Sequence, residues 1–369
     1  MQQGMHKSKP WLIKVNPLPN ELLTSWLVRT ALTQGCDPLL LTGKIWGKWR
    51  VLTMDADRIY DVVKLLPLAY VSGIPIDKFK QASLYPIAAN IYGETPPEKA
   101  IWPWILALGA RNTKRSGGLQ YCPQCLKEDA KPYFRQQWRI AWHTTCERHQ
   151  SSLLDRCHIC NAPVEPQRLV AEDSYLKICA TCKSDLSNAI PIPIVLNAYA
   201  FQLIADLMIH HGHGKFQGGN IKVSEWFKLL DFFISVLRRA SRGRSILLQD
   251  FLSHLITNFL YNLPIISGAG VELLRTHERQ SLFSGLYQLL MSSKQQFKIA
   301  AIKSSITRQA FCSQDETLPS ILLAFYETLP DNPKKRSKNI KRIKNTPRPR
   351  HEVMRMMAKL ERKLTMAQR

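Results

Sequence analysis

Between Cys122 and Cys182 the chain sets out four knuckles in series: Cys122-Pro-Gln-Cys125, Cys146-Glu-Arg-His149, Cys157-His-Ile-Cys160 and Cys179-Ala-Thr-Cys182. Seven of the nine cysteines lie in them. A turn of this spacing aims two donors to one side of a tight loop, and a second such turn closes a tetrahedron around zinc. Taken in order, the first two knuckles supply Cys122, Cys125, Cys146 and His149. The last two supply Cys157, Cys160, Cys179 and Cys182. Each set is complete with four protein ligands, so two structural zinc ions per chain are expected, neither of which activates a water. The spacing leaves open a crossed pairing of the knuckles, and leaves His143 and His158 as alternative ligands. A single C-x-x-C would read as a redox pair, but four knuckles in series do not. Cys36 and Cys312 are left over and are expected as small buried residues.

In a reducing compartment, cysteines paired in this way read as metal ligands before disulfides. The start of the chain agrees with a cytoplasmic expectation, because its first apolar stretch is broken at Lys14, Asn16 and Pro17, unlike an export signal. No apolar run is long enough for a membrane helix, and no membrane partner is expected. Lys plus Arg number 51 against 28 Asp plus Glu, a formal net charge of +23. An excess of that size points to a polyanion, above all nucleic acid. The charge is concentrated at the end: Asp331–Arg369 holds 14 Lys/Arg and 3 Asp/Glu. The run Asn332–Arg350 has too few apolar residues to offset its ordering entropy and reads as a flexible basic linker. Its Lys334, Lys335, Arg336, Lys338, Lys341, Arg342, Lys344, Arg348 and Arg350 are candidate nucleic-acid contacts. Beyond it, Val353, Met356, Met357, Leu360 and Leu364 recur at helical spacing, with Arg355, Lys359, Arg362 and Lys363 between them, which makes a short amphipathic tail helix.

The remainder of the chain reads as mainly helical. Asn20 is expected to cap a helix whose apolar face includes Leu23, Trp26 and Leu27 and which ends near Gly35. A second helix is expected from about Asp55 to Leu66. The stretch Leu68–Phe79 fits a helix-turn-helix, with Ala69 at the close approach, Gly73 in the turn and Phe79 as a core anchor; a plain structural hairpin fits equally. Lys78 and Lys80 on its second helix are candidate nucleic-acid contacts. The polar, Gly-rich Arg111–Leu119 marks a boundary before the knuckles. Trp138, Ile140 and Trp142 alternate as on a half-buried strand closing the zinc module, and Arg135 and Arg139 beside them are candidate phosphate contacts. After Pro193, Trp226, Leu229, Leu230, Phe233, Ile234 and Leu237 trace one helical face. His210-His211-Gly212 reads as a helix C-terminus. The expected fold is mainly α with a small zinc-binding α+β module. Its expected parts are a basic arm (1–15), an N-terminal helical domain with a helix-turn-helix (16–112), a tandem zinc module (118–192), an all-α domain (193–330) and a basic tail (331–369).

The sequence contains no G-x-x-x-x-G-K-[ST] phosphate loop, no H-E-x-x-H and no G-x-S-x-G, so those NTPase, metalloprotease and hydrolase classes are set aside. Nor is there a compact carboxylate cluster for two-metal chemistry, although such carboxylates can be dispersed along a chain. Pro17-Leu18-Pro19-Asn20-Glu21-Leu22-Leu23-Thr24-Ser25-Trp26-Leu27-Val28-Arg29, Leu68-Ala69 with Gly73, and Tyr121-Cys122-Pro123-Gln124-Cys125-Leu126 follow one another in order along the chain. With Tyr133-Phe134-Arg135, Trp138-Arg139, Cys146 with His149, and Cys157 with Cys160, that order resembles the TniQ/TnsD family, over roughly residues 15–185. The resemblance implies a non-catalytic target-selection protein of a Tn7-like transposition system in a bacterial cytoplasm, associated with the nucleoid. Its implied partners are target DNA and the transposition AAA+ ATPase (TnsC/TniB-like). Members of the family choose sites in two ways. Some bind an attachment sequence directly, and others dock on an RNA-guided CRISPR Cascade-type effector, in some cases as a homodimer. The short chain after the knuckles favours the second mode and the basic tail favours the first. From a different class, a zinc-containing nucleic-acid enzyme with dispersed carboxylates remains an alternative.

Overall fold

A computed structural model of the chain describes residues 9–47, 49–98, 100–108, 118–243, 245–257, 270–331 and 348–367. It is mainly helical, with two short sheets, and divides into two compact units, residues 1–194 with 271–276 and residues 195–270 with 277–369.

The first unit begins with α1 (Leu23–Thr33) and α2 (Pro38–Trp46), followed by α3 (Val62–Ser72), α4 (Ile76–Gln81) and α5 (Tyr85–Tyr92). Helix α1 is buried nearly all round, Thr24, Ser25 and Thr30 included, because it packs against two cores. Leu23, Trp26 and Leu27 enter a core with Val51, Leu52, Leu65, Leu68 and Phe79. Leu22 and Val28 enter a second core with Leu84, Ala88, Cys122, Leu126, Trp138 and Leu153. The expected helical domain 16–112 and knuckle module 118–192 therefore share a core within one unit. A pair of knuckles is too small to bury its own aromatics, so they are covered by the helices.

Two expected helix starts move. Asn20 is not the cap of α1: it lies in a left-handed turn (φ 53°), and the cap position is Leu22. The chain is held extended there by Leu22 N–H donating to the Phe134 carbonyl and Gln136 N–H to that of Asn20. The expected helix from Asp55 is a short 3-10 turn, Ala56–Arg58, and α3 starts later, where the Asp61 carboxylate accepts from Val63 N–H. The α3–α4 hairpin is present, with Gly73 in the left-handed conformation (φ 64°) that closes α3 and with Phe79 buried. Trp138, Ile140 and Trp142 are all buried, but not on a regular strand. Gln136–Arg139 forms a 3-10 turn, and a single bridge links Ile140 to Ile105.

The knuckles are carried by α6 (Pro123–Glu128) and by a small antiparallel sheet, β1 (Thr145–Cys146), β2 (Ser151–Ser152) and β3 (Ile192–Pro193), in that order. Val271–Thr276 returns to this unit. Glu272 accepts from the backbones of Trp104 and Ala107, and Thr276 N–H donates to Asp155.

The second unit contains α7 (Leu196–His211), the hairpin β4 (His213–Phe216) and β5 (Gly219–Lys222), α8 (Val223–Ser241) and α9 (Ile246–Ser253). It continues with α10 (Thr276–Met291), α11 (Lys294–Ser304), α12 (Arg308–Phe311), α13 (Leu323–Glu327) and α14 (Arg350–Ala367). Trp226, Leu229, Leu230, Phe233, Ile234 and Leu237 are all buried along α8, and Phe233, Phe251, Phe297, Phe311 and Phe325 make successive tilted or edge-to-face contacts. Gly212 ends α7 in the left-handed conformation. No helix among the described residues is long and apolar enough to cross a membrane.

Candidate metal centres

The local sequence builds the knuckles in two ways. Pro123 at the first position of α6 starts a helical turn that carries Cys125, with Cys122 at the cap position. The other three reverse through a left-handed residue four places after their first cysteine: Gln150 (φ 47°), Asn161 (φ 55°) and Lys183 (φ 61°). In the last two the same pair of bonds closes the loop. Cys157 N–H donates to Ala162 O and Asn161 N–H to Cys157 O, while Cys179 N–H donates to Ser184 O and Lys183 N–H to Cys179 O.

These turns bring the eight residues into two groups, Cys122–Cys125–Cys146–His149 and Cys157–Cys160–Cys179–Cys182, with all ligand atoms of a group within 4.8 Å of one another. His143 and His158 lie outside both groups, and the pairing is sequential rather than crossed. In the first, His149 Nδ1 lies 3.3 Å from the Sγ atoms of Cys122 and Cys125 and 3.6 Å from that of Cys146, and Cys125 and Cys146 are 3.6 Å apart. In the second, Cys157–Cys182 is 3.6 Å and Cys160–Cys179 is 3.7 Å. A zinc tetrahedron with the usual bond lengths has edges of about 3.6–3.8 Å. The donor sets, three thiols with an imidazole and four thiols, therefore fit zinc in both identity and size.

Protons are shared unequally at such separations. Hydrogen bonds from Cys125 and Cys146 hold the Cys122 thiol far below its ordinary value, and the same contact pushes Cys125 far up. The bond with Ser184 brings Cys182 down to about 6, while burial pushes Cys160 up to about 12. Full deprotonation of either group needs a cation at its centre.

A second layer of side chains surrounds the ligands. Glu128 Oε2 lies 3.0 Å from His149 Nε2, and Arg148 Nη2 donates to the same oxygen at 2.7 Å. The hydrogen bond with His149 holds the Glu128 carboxyl below its usual value. Ser184 Oγ lies 3.2 Å from both Cys157 and Cys182, and Ser151 Oγ 3.8 Å from Cys122. Such partners set the tautomer and orientation of ligands. Sequence reasoning passed over Glu128, although it follows Cys125 by three residues, a spacing that one helical turn places on the same side.

The candidate nucleic-acid contacts are placed very differently from one another. Arg139 is completely buried: its Nη1 donates to Asp57 at 2.6 Å, its Nη2 to Asp55 at 2.7 Å, and both Nε and Nη2 to the Leu106 carbonyl. It is a core ion pair and corrects the expectation of a phosphate contact. Arg135, 13% exposed in its side chain, is held by both oxygens of Asp129 and by the Tyr133 and Trp138 rings. Its charge is engaged within the fold as well. Lys78 is exposed, and Lys80 lies 5.4 Å from the Tyr60 ring. Lys78 and Lys14 line a groove of about 480 Å³ together with Pro17, Pro19, Ile74 and Pro75. Arg348 donates to Met356 Sδ, and Arg350 opens α14. Lys334, Lys335, Arg336, Lys338, Lys341, Arg342 and Lys344, with most of the expected linker, lie outside the described residues. Cys36 and Cys312 are half-buried rather than fully buried, and burial raises both thiols.

Compared with known proteins, residues 12–153 match the family model described as TniQ. No curated protein matches the chain. The matched segment runs from before α1 to just past β2. It contains the whole first ligand group and stops short of the second.

Proposed function

Since the chain belongs to the TniQ family through residues 12–153, and is thereby associated with Tn7-like transposition, we propose that it is a non-catalytic target-site selector. It binds at the target DNA and recruits the transposition AAA+ ATPase. The observation that carries this reading is the joining of the α3–α4 hairpin and the first ligand group through α1, which stands between their two cores. Two structural zinc ions, held by the two ligand groups, would stiffen this unit rather than perform chemistry. The hairpin offers its exposed Lys78 to nucleic acid, and the basic tail adds charge that is blind to sequence.

Within this reading, site choice through an RNA-guided effector complex is the preferred mode. Direct attachment-site binding is the second reading, favoured by Lys78 on the second helix of the hairpin. A reconstituted transposition reaction tests both: omission of this chain should abolish targeted insertion while leaving the ATPase and transposase individually active. A guide-dependent insertion pattern, with no footprint on naked DNA, supports the adaptor mode. A discrete footprint without any guide complex supports direct reading. Insertion that stays targeted in the absence of the chain overturns the proposal.

A further inference from the structure

The two ligand groups differ in what they turn toward solvent. In the first, Cys122, Cys125 and Cys146 are 0%, 2% and 6% exposed, and the least buried ligand is His149. Its ring is covered by Glu128, 3.0 Å from Nε2, which Arg148 holds in turn. In the second, Cys157 and Cys179 are buried, but Cys160 is half-buried and Cys182 is exposed. The loops that carry these two sulfurs are open as well: His158, Ile159, Thr181 and Lys183 are all exposed. The accessible ligand of one group is thus an imidazole, and the accessible ligands of the other are sulfurs.

That difference decides how each group meets an oxidant. A thiolate attacks the O–O bond of a peroxide and a ligating imidazole does not, and among thiolates susceptibility follows exposure. Cys182 Sγ is the exposed one, and Cys157 Sγ lies 3.6 Å from it. We infer that the second ligand group is a peroxide-sensitive zinc switch, in which Cys182 is oxidised, Cys157 closes a disulfide on it and the metal leaves, while the first group keeps its own. The chemistry balances in two steps. The Cys182 thiolate takes one oxygen of hydrogen peroxide, the O–O bond breaks, and hydroxide departs from a sulfenic acid. The Cys157 thiolate then attacks that sulfur, the S–O bond breaks, and a second hydroxide departs. Two thiolates have been oxidised to one disulfide, and one peroxide has been reduced to two hydroxides. Cys160 and Cys179 alone do not complete the tetrahedron that zinc requires. A dithiol reductant with fresh zinc reverses the change.

The inference rests on the proposal that both groups hold zinc, whose own failure would show as fewer than two equivalents before any peroxide is added and would overturn both. Full-length zinc-loaded protein is exposed to hydrogen peroxide beside a chromogenic zinc chelator. One equivalent should appear in a fast phase and the other about tenfold more slowly or not at all. After the fast phase, alkylation and peptide mass mapping should find Cys157 and Cys182 protected until a dithiol is added, with Cys122, Cys125 and Cys146 still thiols. Cys182→His, which gives this group the donor set of the first, should slow the fast phase about tenfold. Cys36→Ser with Cys312→Ser, which removes the two half-buried thiols outside the groups, should leave it unchanged. If the Cys182 variant does not retain two equivalents, the mapping of the native protein decides. Simultaneous loss of both equivalents, earlier oxidation of the first group, or a fast phase that depends on Cys36 or Cys312 overturns the inference. So does a fast phase that persists at the native rate in zinc-loaded Cys182→His.

Discussion

Arg139 looks, in the sequence, like one more cation in a basic protein. In the fold it neutralises two carboxylates, Asp55 and Asp57, from a completely buried position. Breaking a buried pair by removing one partner costs roughly 3–5 kcal/mol, because the other charge is left uncompensated. Arg139→Met should therefore lower the melting temperature strongly at neutral pH. The sign of its pH dependence follows from Asp57, which burial pushes up to about 6 from 3.8 even beside the guanidinium. A folded-state value above the unfolded one means that stability is gained below the unfolded value and lost as pH rises through the folded one. The variant's defect relative to the native protein should thus shrink on acidification toward pH 5, and melting curves compared across pH 5–8 check it. Glu128 permits a milder test. Glu128→Ala should weaken zinc retention by about 10–100-fold in chelator competition, while Glu128→Gln, which still accepts from His149, should restore most of it. Equal retention in all three proteins would remove Glu128 from the site. At this scale the ligands were legible because metal geometry is written in spacing. The burial of Arg139 was not, since its partners lie more than 80 residues away.

Among the elements, the α3–α4 hairpin was legible from Ala69, Gly73 and Phe79, and the long stripe of α8 from its period. Gly73 sits in the left-handed conformation with open space around it. Gly73→Ala should cost about 1 kcal/mol through backbone strain alone, lowering the melting temperature without altering zinc content. A loss of zinc together with stability would show that the turn supports the metal groups directly. The helix starts were misplaced for one common reason. Asn20 and Asp55 carry the side chains of good caps, but Asn20 is fixed by a long-range backbone bond from Gln136, and Asp55 is fixed by Arg139. Tertiary partners that no local window contains decided both. The alternation at Trp138, Ile140 and Trp142 likewise reported burial correctly and strand geometry wrongly, because Trp138 is buried from within a 3-10 turn and the chain after it is held by a single bridge at Ile140.

For the whole protein, metal analysis should return two zinc equivalents, and Cys125→Ser or Cys160→Ser should each reduce that number and destabilise the unit that holds it. A well-folded preparation with one zinc or none would overturn the two-site reading. The basic tail gives a second test. Each phosphate neutralised on duplex DNA contributes about 0.9 to the slope of log affinity against log salt. With 14 Lys/Arg between Asp331 and Arg369, removal of residues 332–369 should flatten that slope by several units. Any sequence preference should be retained. An unchanged slope would leave the tail without a role in DNA affinity. The order of the motifs around the first knuckles pointed to the family whose model residues 12–153 match. The division into two units, with 1–194 and 271–276 in one and the remainder in the other, was beyond composition and periodicity, because it depends on a short segment returning after a long excursion.

That return has a consequence during synthesis. Glu272 and Thr276 supply the last bonds to Trp104, Ala107 and Asp155, so the first unit is not finished when its own 194 residues have left the ribosome. Residues 195–270 must be made first. At about 5–20 residues per second, that is a wait of several seconds, during which α1 has neighbours but the backbone around Trp104 lacks its closing partner. A nascent chain halted near residue 200 should therefore be more sensitive to protease around Trp104 than one halted beyond residue 310. The order in which this protein becomes resistant would follow the path of its chain rather than the sequence of its domains.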